Sequence, residues 1–410
     1  MRYLKRSLVV KLIAAIAAAS LCSLGLLSCP RGAVSAEKGP VVVLITGSEA
    51  ATPLEYRGAE DFVRACSSAT VAIRGEARHL ELPDKTKGEA AVSDFVADAA
   101  SDPRVAAIVV SPSPVGTASG LRKAKRSRGA GLLCVAASSS EDVLDIESSA
   151  DLVVELDRVS RAYIAAWAAK KMGARSIVAA YGESEASTPD TLRERAIMSA
   201  AASDLGLRYA AMIAPKGVES SAFVRSASGS WLRDWGPAAA LYCADPSLAQ
   251  SLIAGAIAGG GMLVDSGGAA TVAAYAEALG VDLSSAKGDA KKERRLVETA
   301  LAPLGMKGRL CAWDSSYGRA STAGLGEFAM RVTKGEAKKD EIKDLRAALD
   351  ERSEGAAWMT EYDVDLATGV KSANRVLIRQ DLCALGSGYL QSALQAVPAK
   401  YLLMKSGGAD

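Results

Sequence analysis

The chain has 410 residues and is close to neutral, with 49 Lys and Arg against 47 Asp and Glu. Four of the basic residues (Arg2, Lys5, Arg6 and Lys11) fall in the first 28 positions, so the remainder carries 45 against 47; the basic balance belongs to that segment, and no nucleic acid is expected as a partner. Hydrophobic residues make up 49% and aromatics only 5%, a balance that suits helices packed on parallel strands, and the length allows two domains of ordinary size.

Residues 1–28 read as an export signal: a positive start at Met1–Arg6, then an apolar run over Leu8–Leu27. The run closes on Leu26-Leu27-Ser28-Cys29, the pattern of a lipobox, which makes Cys29 the expected lipidation site. A diacylglyceryl group with a third acyl chain would then tether a soluble body to a membrane surface. Cleavage after Val34-Ser35-Ala36 and an uncleaved membrane anchor are the alternatives. Outside the cytoplasm there is no pool of ATP or NAD, so no cofactor is expected. Ligand capture, hydrolysis and envelope structure remain as function classes.

A polar linker occupies residues 29–40, and Val41–Gly47 is an unbroken β-branched run, the mark of a strand buried on both faces. Thr52-Pro53 opens a helix to about Cys66, with Thr52 as cap and Pro53 in its first turn. Either Thr70–Ile73 or Arg78–Leu82 is the second strand, Lys87–Ala100 a helix, Val105–Val110 a strand and Thr117–Arg126 a helix. Gly131–Val135 and Leu152–Glu155 complete five strands. A second series follows, with helices over Arg161–Met172, Thr188–Leu205, Ala222–Trp235, Pro246–Ala258, Thr271–Leu279 and Lys291–Leu304. Its strands are Ser176–Tyr181, Leu207–Ile213, Ala239–Cys243, Gly261–Val264 and Arg309–Trp313. Residues 321–332 and 336–352 are predicted helical, Arg375–Ile378 is a strand candidate, and the tail is expected to pack back across both halves.

Two such βαβ series predict an α/β protein with two doubly wound, Rossmann-like lobes and an inter-lobe cleft. The expected organisation is 41–157 for the N-terminal lobe, joined by part of 318–410, then 158–317 for the C-terminal lobe and 318–410 for a helical return segment and tail.

His79 is the only histidine, so a Ser-His-Asp or Cys-His site would have to use it. It sits in an alternating stretch, Arg78-His79-Leu80-Glu81-Leu82, without a GxSxG motif around any serine, and reads as a surface or edge-strand residue. Besides Cys29, five cysteines lie beyond the leader (Cys66, Cys134, Cys243, Cys311 and Cys383). No CxxC or Cys/His spacing accompanies them, which argues for buried apolar side chains over disulfides or a zinc site.

In open α/β sheets, ligands bind beyond the carboxyl ends of the strands. The loops expected there give Ser48, Glu49, Ser113 and Ser138 in the first half, and Glu183, Asp245, Asp314 and Tyr317 in the second. Tyr56, Tyr163, Tyr181, Trp313 and Tyr317 are the aromatic faces near them. Asp157-Arg158 and Arg161 at the crossover are either a structural ion pair or a ligand contact, and Asp245 either touches ligand or caps the helix opened by Pro246. Glu183 and Glu185 form a carboxylate pair that is either solvated or an acid/base couple.

The order of these features resembles the type I periplasmic binding proteins, and more specifically the bacterial family called domain of unknown function 3798. The residues that carry the likeness begin with Tyr56-Arg57-Gly58-Ala59-Glu60, Asp102-Pro103-Arg104 leading into Val105–Val110, and Pro114-Val115-Gly116-Thr117-Ala118. Ser148-Ser149-Ala150-Asp151, Val159-Ser160-Arg161-Ala162-Tyr163, Lys170-Lys171-Met172-Gly173, Arg193-Glu194-Arg195 and Gly308-Arg309-Leu310-Cys311 continue it. The likeness spans Val41 to Thr333, and Asp314-Ser315-Ser316-Tyr317 stands where a proline-containing loop is expected.

The resemblance implies a monomeric binding protein on this fold and supplies no ligand. Together these observations predict a lipid-anchored receptor for a small polar molecule (a sugar, nucleoside or amino-acid derivative) serving an ABC transporter permease or a membrane sensor. Ligand contacts are expected from Ser48, Glu49, Tyr56, Ser113, Ser138, Arg161, Tyr163, Glu183, Asp245, Asp314 and Tyr317, with no metal. A carboxylate-based hydrolase using Glu183, Glu185 or Asp314, and a structural envelope lipoprotein, are the alternatives.

Overall fold

The computed structural model describes residues 39–68, 75–82, 88–286, 289–312, 317–353, 355–365 and 368–404, and residues 40–410 form one compact unit. Cys29 and Asp314 lie outside the described residues, as does the strand candidate Thr70–Ile73.

β1 (Val41–Thr46) is buried at every position, as its β-branched run predicts. It pairs in parallel with β2 (Glu76–Glu81) on one side and β3 (Val105–Val110) on the other. β4 (Leu133–Ala137) and β5 (Leu152–Leu156) continue the sheet in parallel, giving the order β2-β1-β3-β4-β5. The crossovers are α1 (Pro53–Ser67), α2 (Gly88–Asp98), α3 (Thr117–Arg128) and α4 (Val143–Ser149).

After α5 (Arg161–Lys171), a second sheet repeats this winding. β6 (Ser176–Tyr181), β7 (Arg208–Ile213), β8 (Ala239–Cys243) and β9 (Met262–Ser266) assemble in the order β7-β6-β8-β9, all parallel. α6 (Pro189–Asp204), α7 (Ser220–Trp235), α8 (Ala249–Gly259), α9 (Val272–Leu279) and α10 (Ala290–Leu301) connect and cover them. Leu310 bridges in parallel to Leu263 just before β10 (Cys311–Ala312). The chain is therefore an α/β protein with two Rossmann-like lobes, each reversing its strand order between its first and third strands.

The tail departs from the expectation of a helical return segment. It is helical in α11 (Tyr317–Thr333) and α12 (Ile342–Arg352), and then forms β11 (Trp358–Val364) and β12 (Lys371–Gln380). β12 joins β5 in parallel, β11 pairs antiparallel outside it, and the first sheet thereby reaches seven strands. The candidate strand Arg375–Ile378 is the inner part of β12. Its partner β11, the outermost strand of the sheet, is buried over Trp358-Met359-Thr360 and exposed at Glu361 and Val364. The chain then returns to the second lobe, where β13 (Cys383–Ala384) pairs with β10 and β14 (Gly388–Tyr389). The short α13 (Ala399–Leu402) ends the described chain, with Tyr401 stacked on Tyr163 of α5.

Each sheet is covered on both faces. In the first lobe, Phe62 of α1 and Phe328 of α11 pack on one face with Trp358, while Val96, Leu121 and Ile146 fill the other. In the second, α5 and α6 cover one face, and Leu232, Ile253, Tyr275 and Val297 cover the other. All five cysteines of the body are buried, and burial pushes the Cys134 thiol up to about 12, which keeps it protonated and unreactive. His79 lies on edge strand β2, as expected, with its side chain only 5% exposed. Its Nε2 shares a hydrogen bond with Thr46 Oγ1 (2.8 Å) and its Nδ1 with Glu60 Oε1 (2.7 Å).

Helices α1 and α11 approach closely because both carry glycines at the contact. A Cβ on Gly58 would collide with the Arg319 carbonyl oxygen, and one on Gly326 would meet Phe62 Cδ1 at 2.7 Å. Gly58→Ala is therefore expected to lower unfolding free energy by about 1–3 kcal/mol in denaturant titration. Gly229→Ala in α7 has only the Arg233 guanidinium nearby, at 3.7 Å, and is expected to be neutral or to stabilise by up to about 1 kcal/mol. Equal effects at the two positions would contradict this packing.

Candidate functional site

The chain passes between the lobes three times: from β5 to α5, from β10 to α11, and from β12 to β13. Buried side chains bind the first and third passages together. Arg379 Nη1 donates to Asp157 Oδ2 at 2.7 Å, Asp157 Oδ1 accepts from the Ser160 amide, and Arg379 Nη2 reaches the Ala393 and Gln395 carbonyls. Asp381 accepts from the Ser392 amide and hydroxyl and from the Gln391 amide.

Beside these passages lies a cavity of about 280 Å³, lined from both lobes. The first lobe contributes Leu54 and Glu55 from the start of α1, Ser138 after β4, Leu156 to Arg158, Tyr317 and Gln380. The second contributes Arg161, Ile164 and Ala165 from α5, Asp265 with Gly267 and Gly268 after β9, and Leu382. A second cavity of about 540 Å³ shares Leu156, Arg158, Arg161 and Gly267, and continues over the carboxyl ends of β6 and β8 to Glu185, Thr191 and Glu194. The pair lies where strand order reverses in the second sheet, the usual ligand position in open α/β sheets. Gly267 sits at φ +67° in the turn that closes one wall, and a Cβ there would meet the Pro246 nitrogen and the Ala244 oxygen.

Arg161 is the charge at the junction. Its Nε donates to Asp265 Oδ2 at 2.7 Å, and Asp265 Oδ1 accepts from the Gly268 amide. Arg161 Nη2 is shut off from solvent and has no hydrogen-bond partner. Burial opposes the guanidinium charge, but the Asp265 carboxylate more than offsets it and holds the pKa above the usual arginine value. Arg158 is exposed at the lip of both cavities, and its guanidinium makes no hydrogen bond or ion pair among the described residues. The two crossover arginines and Asp157 thus do not pair with one another; Asp157 takes Arg379 and Arg161 takes Asp265, each from a distant part of the chain. Below the second cavity, Tyr181 Oη lies 3.5 Å from Glu194 Oε1, and the buried Tyr242 hydroxyl makes no hydrogen bond in good geometry. Burial pushes the Glu194 carboxyl up to about 7, against the pull of Arg161. Burial and the nearby Asp245 raise Glu185 as well, and burial raises Glu55.

Of the residues picked out by sequence, Arg161, Ser138 and Tyr317 meet at the first cavity. Ser138 adopts φ +48°, and the Tyr317 ring leans on Trp358 at 5.4 Å between centroids. Of the others, those among the described residues line neither cavity. Ser48 Oγ accepts from the Ala51 amide in the turn after β1, and Glu49 is exposed beside Arg57. Tyr56 packs edge-on against His79, and Ser113 is fully buried, its hydroxyl donating to Val110 and accepting from the Ala137 amide. Tyr163 and Tyr181 are core residues, Trp313 lies outside the described residues, and the Tyr317 ring lines the first cavity. Glu183 is exposed while Glu185 lines the second cavity, and Asp245 accepts from the Ser247 amide as a cap.

Asp265, Glu194 and Gln380 were missed. Asp265-Ser266-Gly267-Gly268, an acid at a strand's carboxyl end before two glycines, was the available signal for the first. Among the described residues no group of three or more His, Cys, Asp or Glu could hold a metal, and no helix is long and apolar enough to cross a membrane.

Two parallel sheets joined by three passages, with a cavity between them, define a two-lobed protein of the type I periplasmic-binding-protein fold. The family model described as "Protein of unknown function (DUF3798)" matches residues 41–311, and the chain belongs to that family. A second family model matches residues 322–404. An uncharacterized protein of Treponema pallidum (strain Nichols) is 33% identical over 219 residues, 52% of this chain and 98% of that one. A second from the same strain is 35% identical over 144 residues, 35% of this chain and 64% of that one. Among solved structures, a candidate transcriptional regulator from Clostridium difficile 630 is similar at TM-score 0.74 and 14% identity, over 84% of this chain and 99% of that one. A periplasmic solute-binding protein of an ABC transporter from Actinobacillus succinogenes 130z, with bound D-allose, is similar at TM-score 0.43 and 12% identity, over 73% of this chain and 93% of that one.

The raised carboxyl of Glu194 has a consequence for stability. A carboxyl whose pKa is higher in the folded than in the unfolded state stabilises the fold while protonated, and that contribution is lost as pH rises through the folded value. Wild-type melting temperature is expected to fall between pH 5 and pH 8 relative to Glu194→Gln, by the equivalent of about 2 kcal/mol. Parallel melting curves across that range would contradict the assignment.

Proposed function

We propose that this protein captures a small polar solute between its lobes, outside the cytoplasm, and that a lipid on Cys29 holds it to the envelope. The observation that carries the capture reading is Arg161, whose Nη2 in the cavity wall is shut off from solvent and left without a partner. Buried polar groups in folded proteins are nearly always hydrogen-bonded, and leaving one unpaired costs about 1–3 kcal/mol. A ligand oxygen is the natural partner. Lobe closure about the three passages would seat it, and a transporter permease or a sensor would read the closed form.

The export reading rests on the basic start, the apolar run and the Leu26-Leu27-Ser28-Cys29 sequence. The cavity walls offer ligand-holding groups and no histidine, since the single one lies buried at the far edge of the first sheet. Native mass spectrometry of the chain extracted from membranes, without refolding, tests both parts. The expected polypeptide begins at Cys29 with three acyl chains and carries a small-molecule adduct that is lost on denaturation. An N-terminus at Glu37 without lipid would refute the anchor, and an adduct-free mass at all conditions would count against capture.

A further inference from the structure

Taking the cleft as a solute site, we infer that its ligand is a nucleobase or nucleoside, held by the side-chain amide of Gln380. Gln380 ends β12, lines the 280 Å³ cavity and is 1% exposed, yet neither its amide oxygen nor its amide nitrogen has a hydrogen-bond partner. A buried carboxamide with both halves unpaired is costly. It is also a specific recognition element, because it presents an acceptor and a donor side by side. The complement is an adjacent donor and acceptor on one edge of a flat ring, and Gln pairs in this bidentate way with adenine.

The rest of the cavity favours a flat ring over a sugar. Its walls are largely apolar: Leu54, Leu156, Ile164, Ala165 and Leu382, with the Tyr317 ring. Several of its charged groups are already engaged. Asp157 and Arg379 bond to each other, and Asp265 takes the Arg161 Nε and the Gly268 amide. A hexose or an inositol, with a hydroxyl on nearly every carbon, would leave several of them unpaired against these walls. A heterocycle buries two apolar faces and needs partners only at its edge. Arg161 Nη2 then serves a second acceptor, on the ring or on an attached ribose. The volume is just under the roughly 300–1,000 Å³ usual for ligand clefts, and the adjoining cavity over Glu194 and Thr191 gives room beyond the ring.

Isothermal titration of the full-length chain in detergent, with adenosine, inosine and uridine against D-allose and myo-inositol, tests the inference. At least one nucleoside is expected to bind and both sugars to be silent. Gln380→Leu is expected to weaken that nucleoside about 10- to 100-fold. Should Gln380→Leu fail to fold, Gln380→Glu keeps the shape, removes the donor and is expected to weaken the same nucleoside at least tenfold. Sugar binding without nucleoside binding, or nucleoside binding untouched by both variants, overturns the inference and leaves solute capture standing. Silence from all three nucleosides, with a sugar or other adduct in the native mass spectrum, does the same; silence together with an adduct-free mass overturns both.

Discussion

The buried ion pair between Asp157 and Arg379 is the constraint on which the rest of the molecule depends. Both side chains are almost wholly withdrawn from water, and they join two passages more than two hundred positions apart in sequence. Buried pairs of this kind add little net stability over an apolar substitute, but removing one partner strands a charge at a cost of about 3–5 kcal/mol. What the pair fixes is position. Arg158 follows Asp157 directly and Arg161 comes four positions on, and Gln380 follows Arg379, so one interaction sets the spacing of the unpaired polar groups around the cavity. Burial lowers the affinity of Arg379 for its proton, and the Asp157 carboxylate opposes that shift.

The second pair, Arg161 with Asp265, works within one lobe and differs in a useful respect. It uses a single nitrogen of the guanidinium and leaves Nη2 unpaired, whereas Arg379 is held through both Nη1 and Nη2, to Asp157 and to two carbonyls, and leaves only Nε without a partner. The first pair therefore belongs to the frame and the second to the site. Around them, the apolar walls make each unpaired donor and acceptor count, because a buried polar atom gains more from a partner than an exposed one does. Glu194, held near neutrality by burial, adds a carboxyl that donates as well as accepts at near-neutral pH.

Most of the fold was legible because parallel sheets buried on both faces write themselves as β-branched runs. Val41–Thr46 and Val105–Val110 are examples, and Thr188, Gly206 and Gly280 mark helix ends. The tail was harder. β11 is the edge strand and mixes Trp358 and Met359 with Thr360, Glu361 and Asp363, so its polar residues hide it among charged helices. The site was legible in part. Arg161, Ser138 and Tyr317 sit where loops meet the strand ends, a position that periodicity predicts. Tyr163 reads as a cleft aromatic, yet its helix is buried on nearly every side and turns the ring to Tyr401. Gln380 is the last residue of β12 and Asp265 the last but one of β9, and the surroundings that leave the Gln380 amide unpaired and give Asp265 its partner Arg161 come from segments distant in sequence. No local pattern carries that information.

The central claim is that the polar atoms left without partners between the lobes belong to a bound solute. A crystal structure of the protein purified from its native membranes, without added ligand or denaturation, tests it most directly. The account predicts continuous density for one small molecule within hydrogen-bond distance of Arg161 Nη2 and the Gln380 amide. A closed cleft in which those atoms are bonded to protein groups, with no molecule between them, would contradict it.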